Sequence, residues 1–191
     1  MTRRALVVAA LVGVAAALVW ALFVAVPRRA SRAGSNTVAA AAPGAAPTTS
    51  GRKIKARLFY VSDDGMHLVR VERDVAYGEG TLEQAREILA AQVTPVAEPL
   101  VSAIPAGATV RALFLTEGGE AYVDFSRDIT TGHTGGTSDE LLTIYTIVNA
   151  LTENLPAVTA VQVLVDGKEV DTLAGHIDLR NPIARNPAWV Q

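Results

Sequence analysis

From Lys53 onward the chain switches between two hydrophobic periods. Ile54 to Val61 begins with clean alternation and then turns apolar on both faces, as in a strand entering a sheet interior. Ser62-Asp63-Asp64-Gly65 reads as a turn and Met66 to Val71 as the returning strand, so residues 54–73 are expected to form a hairpin. Leu82, Ala85, Ile88, Leu89 and Val93 then recur at helical spacing. Thr81 and Gln84 have the spacing of a capping box at the start of that helix. Two more strands follow, Val110 to Leu115 and Ala121 to Phe125, joined through Glu117-Gly118-Gly119-Glu120. After an irregular stretch, Ser126 to Gly136, a second helix is marked by Leu141, Ile144, Tyr145, Val148, Leu151 and Leu155. Thr137 and Glu140 form its expected capping box, and Pro156 ends it because proline has no N–H and disfavours helical geometry in the residue before it. The β-branched run Val158 to Val165 predicts a central strand, and Asp166-Gly167 a hairpin turn.

The order is strand, strand, helix, strand, strand, helix, strand. Two amphipathic helices can be covered by one face of one sheet, so the expected fold is an α/β (α+β) two-layer sandwich built on a mixed sheet. Residues 53–185 are expected to be the folded domain and 186–191 a C-terminal tail.

The first fifty residues have a different texture. Ala5 to Val26 carries no charge and no proline. As a helix it would span roughly 33 Å, enough for a hydrocarbon core of about 30 Å. Arg3 and Arg4 precede it and Arg28, Arg29 and Arg32 follow. A cleaved signal peptide has a shorter apolar run with a small-residue cleavage site close behind. The longer run and its arginine-guarded exit favour an uncleaved transmembrane signal anchor over residues 5–26. Residues 1–4 are then a cytoplasmic tail, and the short leading tail places the rest outside the cytoplasm, at the outer face of the cytoplasmic membrane. Residues 27–52, rich in Ala, Pro, Ser and Thr, cannot support a core and read as a linker.

Charge sharpens this division. Residues 1–52 hold six arginines and no acid, whereas residues 53–191 hold eleven basic and nineteen acidic side chains, a net of −8. So acidic a domain repels a phosphate backbone, which argues against nucleic acid as a partner. The chain has no cysteine, hence no disulfide, no thiolate nucleophile and no lipid-modified cysteine.

Candidate chemistry is sparse. His67, expected on a strand, His133 and His176 are far apart in sequence and do not have the spacing of a metal site. The Gly-rich loop Thr131 to Gly136 precedes a helix, the shape that cradles phosphates, yet it lacks the P-loop and dinucleotide patterns. Asp139 and Glu140 already place negative charge at that helix start. Asp124 and Asp128 flank Phe125-Ser126-Arg127, but the default for such residues is turn capping, and Ser126 lacks a strained nucleophile elbow. No catalytic residue, metal site or cofactor is assigned.

Several runs together resemble one known family. They are Leu100 to Gly107, Ala121 to Ser126, Gly135 to Leu141, Ile144 to Glu153, Val161 to Gly167 and Leu173 to Leu179. In this order they look like the GerMN domain of sporulation and spore-germination proteins and of many bacterial envelope proteins. The resemblance implies a membrane-tethered, extracytoplasmic domain similar to the ring-building modules of secretion systems, without catalysis or cofactor. It further implies a role in protein–protein assembly, with envelope proteins or with itself. A ligand-binding or sensory domain for cell-wall fragments or small molecules is the alternative. A cell-wall enzyme comes third, and it would need Asp124, Asp128 and His133 to converge. GerM is a two-domain lipoprotein, whereas this chain carries one such domain and no cysteine.

Overall fold

A computed structural model describes residues 51–191. The expected anchor over residues 5–26 and all but the last residues of the expected linker lie outside these. Among the described residues no helix is long and apolar enough to cross a membrane.

The first hairpin pairs β1 (Lys53–Val61) with β2 (Leu68–Ala76), antiparallel and in unbroken register from Lys53 opposite Ala76 to Val61 opposite Leu68. Lys55 and Asp74 face each other in that register and close a 2.7 Å ion pair. The turn is longer than the expected Ser62–Gly65. Asp64 accepts a hydrogen bond from the Met66 N–H at 2.8 Å, and the Ser62 N–H donates to the His67 carbonyl at 2.9 Å. Met66 and His67 are thereby drawn out of the strand, which corrects the expectation for His67.

Helix α1 (Gly80–Val93) follows, then β3 (Val110–Leu115) and β4 (Glu120–Phe125). A single turn, α2 (Asp128–Thr131), leads to the long helix α3 (Thr137–Asn154). Leu155 leaves the helix in extended geometry before Pro156, as the sequence requires. Next come β5 (Ala160–Val165), β6 (Lys168–Glu169) and β7 (Ile183–Ala184). Asp166 and Gly167 both adopt positive φ, 50° and 75°, the geometry of the tight hairpin turn that joins β5 to β6.

Two sheets result where one was expected. The second is ordered β3-β4-β5-β6, with β7 on the same edge of β5 as β6. It is mixed, β4 and β5 being parallel with α3 as their crossover and the other pairs antiparallel. The β1–β2 hairpin stays outside it because the free edge of β1 is already closed. Gln92 of α1 receives the Phe59 N–H at 2.9 Å and donates to the Phe59 carbonyl at 2.8 Å. Asn154 of α3 does the same for Arg57, at 2.9 and 2.8 Å, and Val101 pairs with Val61. Helix side chains thus stand where a neighbouring strand would have been.

The core lies where the helices meet both sheets. Phe59, Tyr60, Ile88, Phe125, Ile144 and Ile147 are among its fully buried members. α3 touches α1, β1 and β5, so it is buried almost all round rather than along one stripe, with Thr143, Thr146 and Asn149 also inside. Residues 186–191 pack back onto the fold. Trp189 stacks on Tyr145 at 6.3 Å between ring centroids, and the Gln191 N–H donates to the Leu68 carbonyl.

Candidate functional site

The expected capping boxes are replaced by longer-range bonds. At α1 the helix starts at Gly80 and no side chain caps it. Gln84 reaches back past Thr81, accepting from the Gly78 N–H at 3.0 Å and donating to the Ala76 carbonyl at 3.1 Å. A side chain at position 78 would collide with the helix backbone itself, its Cβ falling on the Glu83–Gln84 peptide.

At α3 the residue before the helix is Gly136, φ 97°, again without a side-chain cap. Glu140 is fully buried and does not bond Thr137. Its carboxylate accepts from the Leu173 N–H at 2.7 Å and the His176 N–H at 2.9 Å, and His176 Nδ1 lies 3.2 Å away. Burial pushes the Glu140 carboxyl up, but the backbone N–H groups of Ala174, His176, Leu173 and Ile177 outweigh it and hold the group below its ordinary value. Glu140 is therefore the anchor of the irregular segment between β6 and β7. Gln162 on β5 fastens the same segment farther along, through the Leu179 carbonyl at 2.6 Å.

The Gly-rich loop beside this anchor is organised by His133. Its Nδ1 accepts from the Gly135 N–H at 3.1 Å, so the ring proton sits on Nε2, which faces Thr143 Oγ1 at 3.2 Å. Thr143 in turn is 2.7 Å from the Ala103 carbonyl. Thr134 donates to Asp139 at 3.0 Å across the mouth of the helix, so a carboxylate occupies the place a phosphate would take. His133, Thr134 and Asp139 line a surface cleft of about 360 Å³ together with Val61, Ile104 and Leu142.

The structure does not bring Asp124, Asp128 and His133 together as a site. Asp124 is buried, accepting from the Gly167 N–H at 2.7 Å with Arg111 3.6 Å away. Asp128 accepts from Ser126 Oγ at 2.9 Å, a local turn contact. Neither lines the cleft that holds His133. His67 sits against Asp64, whose carboxyl is held well below the carboxylate range by hydrogen bonds from Ser62, the Met66 N–H and His67. Among the described residues no group of three or more His, Cys, Asp or Glu side chains is placed to hold a metal.

A second surface escaped the sequence reading. Leu113, Val123 and Val163 lie side by side and are buried. The opposite face carries Phe114 beside Tyr122, and Ala112 in line with Asp124 and Leu164. Phe114 is 60% exposed there. An irregularity between Val110 and Ala112 lets Arg111 reach Asp166 at 3.0 Å, and Arg127 stands 3.9 Å from the same aspartate. The alternation in Val110–Leu115 does place Phe114 opposite Leu113, so the signal was present, but nothing in the sequence said which face was covered.

The fold and sequence have relatives. Solved structures with the same fold include the first GerMN domain of the sporulation protein GerM from Bacillus subtilis, at 18% identity and a TM-score of 0.51. That match covers 69% of this chain and 98% of the other. The tandem GerMN domains of the same protein match at 15% identity and a TM-score of 0.54, covering 70% of this chain and 46% of theirs. A Clostridium perfringens protein described as a candidate lipoprotein matches at 16% identity and a TM-score of 0.50, over 71% of this chain and 89% of that one. No curated protein sequence matches the chain. The family model for Germane, described as sporulation and spore germination, matches residues 57–171, which takes in α1, α2 and α3 and the strands from the middle of β1 to β6. With the family model spanning more than half of the chain and the fold matching the GerM domains, the chain belongs to the GerMN (Germane) family.

Proposed function

We propose that the folded domain is a non-catalytic assembly module, tethered through residues 5–26 and the 27–52 linker at the outer face of the cytoplasmic membrane. The likeness to a candidate lipoprotein supports a surface-tethered setting. The observation that carries the assembly reading is the outer face of the mixed sheet. A large aromatic, Phe114, is 60% exposed there beside Tyr122, at a strand position where a solvent-facing sheet would show a polar residue.

Charge selects the partner. Residues 53–191 carry a net of −8, so two copies repel each other while a basic protein is drawn in. The occupant is therefore a partner domain of net positive charge presenting an apolar patch. A photo-crosslinking residue at position 114 of the full-length chain in cells tests this, with Lys55 as control position. A discrete adduct with a basic envelope protein from 114 alone is the expected result. A self-adduct, equal adducts from both positions, or none would each overturn it.

A further inference from the structure

The cleft at the start of α3 has a lining whose chemistry is one-sided. Val61, Val101, Ile104 and Leu142 give it an aliphatic body, and Val101 is 56% exposed at its surface. Its polar atoms are mostly committed elsewhere. Ser102 Oγ accepts from the Ile104 N–H at 3.1 Å, and both ring nitrogens of His133 are engaged by Gly135 and Thr143. Thr134 spends its hydroxyl proton on Asp139 Oδ2. Asp139 Oδ1 has no partner among the described residues and remains a free acceptor.

Asp139 is also the one residue of the lining that is an Asp, Glu, Lys or Arg. The positive end of α3 is worth about half a charge and is already outweighed by Asp139 and Glu140 in its first turn. A ligand entering the cleft therefore meets aliphatic carbon, one unpaired carboxylate oxygen and no side-chain donor left free. That combination disfavours anions and favours a hydrogen-bond donor that is positively charged and carried on an apolar stem. The volume of about 360 Å³ falls within the range of small-ligand sites.

We propose that this cleft binds an unbranched aliphatic ammonium, its methylene chain along Val61, Ile104 and Leu142 and its charged end on Asp139. A free amine and a lysine-type side chain present the same chemistry. The inference does not rest on the assembly reading, since Phe114 is not among the cleft's lining residues, so a Phe114→Ser chain that loses its partner keeps amine binding.

The test is methyl NMR of the full-length chain titrated with hexylamine, hexanoate, hexanol and Nα-acetyl-lysine methylamide. Hexylamine is expected to give saturable shifts confined to methyls around Val61, Val101, Ile104 and Leu142, with a dissociation constant on the order of millimolar. Hexanol binds more weakly and hexanoate not at all. Asp139→Asn weakens hexylamine about two- to fivefold, the range of an exposed ion pair, and leaves hexanol unchanged. Tighter binding of the lysine amide than of hexylamine assigns the site to a peptide side chain, and the reverse order to a free amine. Hexanoate binding as well as hexylamine, an Asp139→Asn chain with unaltered amine affinity, or no saturable shift by roughly 50 mM would each overturn the proposal.

Discussion

Glu140 and Asn149 sit on the same helix, both fully buried, and they illustrate opposite uses of a buried polar side chain. Glu140 gives its charge to backbone donors of the Leu173–Ile177 segment. Asn149 leaves both its amide atoms without a hydrogen-bond partner among the described residues, and Thr146, one turn earlier, leaves its hydroxyl in the same condition. A satisfied buried polar group ties elements together, while an unsatisfied one costs about 1–3 kcal/mol of desolvation with nothing in return. The difference arises from neighbours. Glu140 lies at the helix start, where an irregular segment with free N–H groups passes, whereas Asn149 lies in the middle of the helix between the buried Val148 and Ala150.

Substitutions measure how far that contrast goes. Glu140→Ala should have the largest effect, since it strands several buried N–H groups and frees the segment that carries Leu173 and Leu179. A loss of roughly 3–5 kcal/mol in urea unfolding is expected. A loss below about 1 kcal/mol would remove the contrast altogether.

Gln92→Ala comes next, because it reopens the β1 edge at Phe59 and leaves a buried N–H and carbonyl unpaired. About 2–4 kcal/mol of destabilisation should accompany increased aggregation, which light scattering on heating would register. Unchanged solubility and stability would mean that the amide is not what keeps this edge closed.

Acid gives a third handle. The Glu140 carboxyl is depressed in the folded state, so its contribution is present above its unfolded value, the ordinary 4.5, and is lost as pH falls through the lower folded value. Urea midpoints should therefore drop as pH is lowered beneath about 4.5, and Glu140→Gln should flatten that slope. A parallel slope in the variant would assign the acid sensitivity to other carboxylates.

The smallest effect is expected on the other side of the comparison. Asn149→Leu exchanges an unpartnered amide for an apolar group of similar volume and should change stability by roughly 0 to 1 kcal/mol in the favourable direction. A loss of more than about 2 kcal/mol would show that Asn149 has a partner role after all.

Much of this chain was legible in advance. The Pro156 stop, the Asp166-Gly167 turn and the runs that became β1, β4, β5 and both helices follow from local chemistry, because proline geometry, positive φ and hydrophobic period act over a few residues. The partners of Glu140 were not legible. Its spacing from Thr137 fits a capping box, yet a carboxylate can accept from any N–H that folding brings near, and those of Leu173 and His176 arrive from far along the chain. The amides of Gln92 and Asn154 look like ordinary helix polar residues until β1 is laid beside them.

The sequence by itself determined the family, the acidic character of the domain and where most elements begin and end, since each of these is written in nearby residues or their order. Only the tertiary structure decided that there are two sheets, that α3 is buried from several sides, and that one face of the mixed sheet keeps Phe114 in solvent. These depend on which surfaces meet, and a side chain that reads as core in a strand stays exposed when no element is left to cover it.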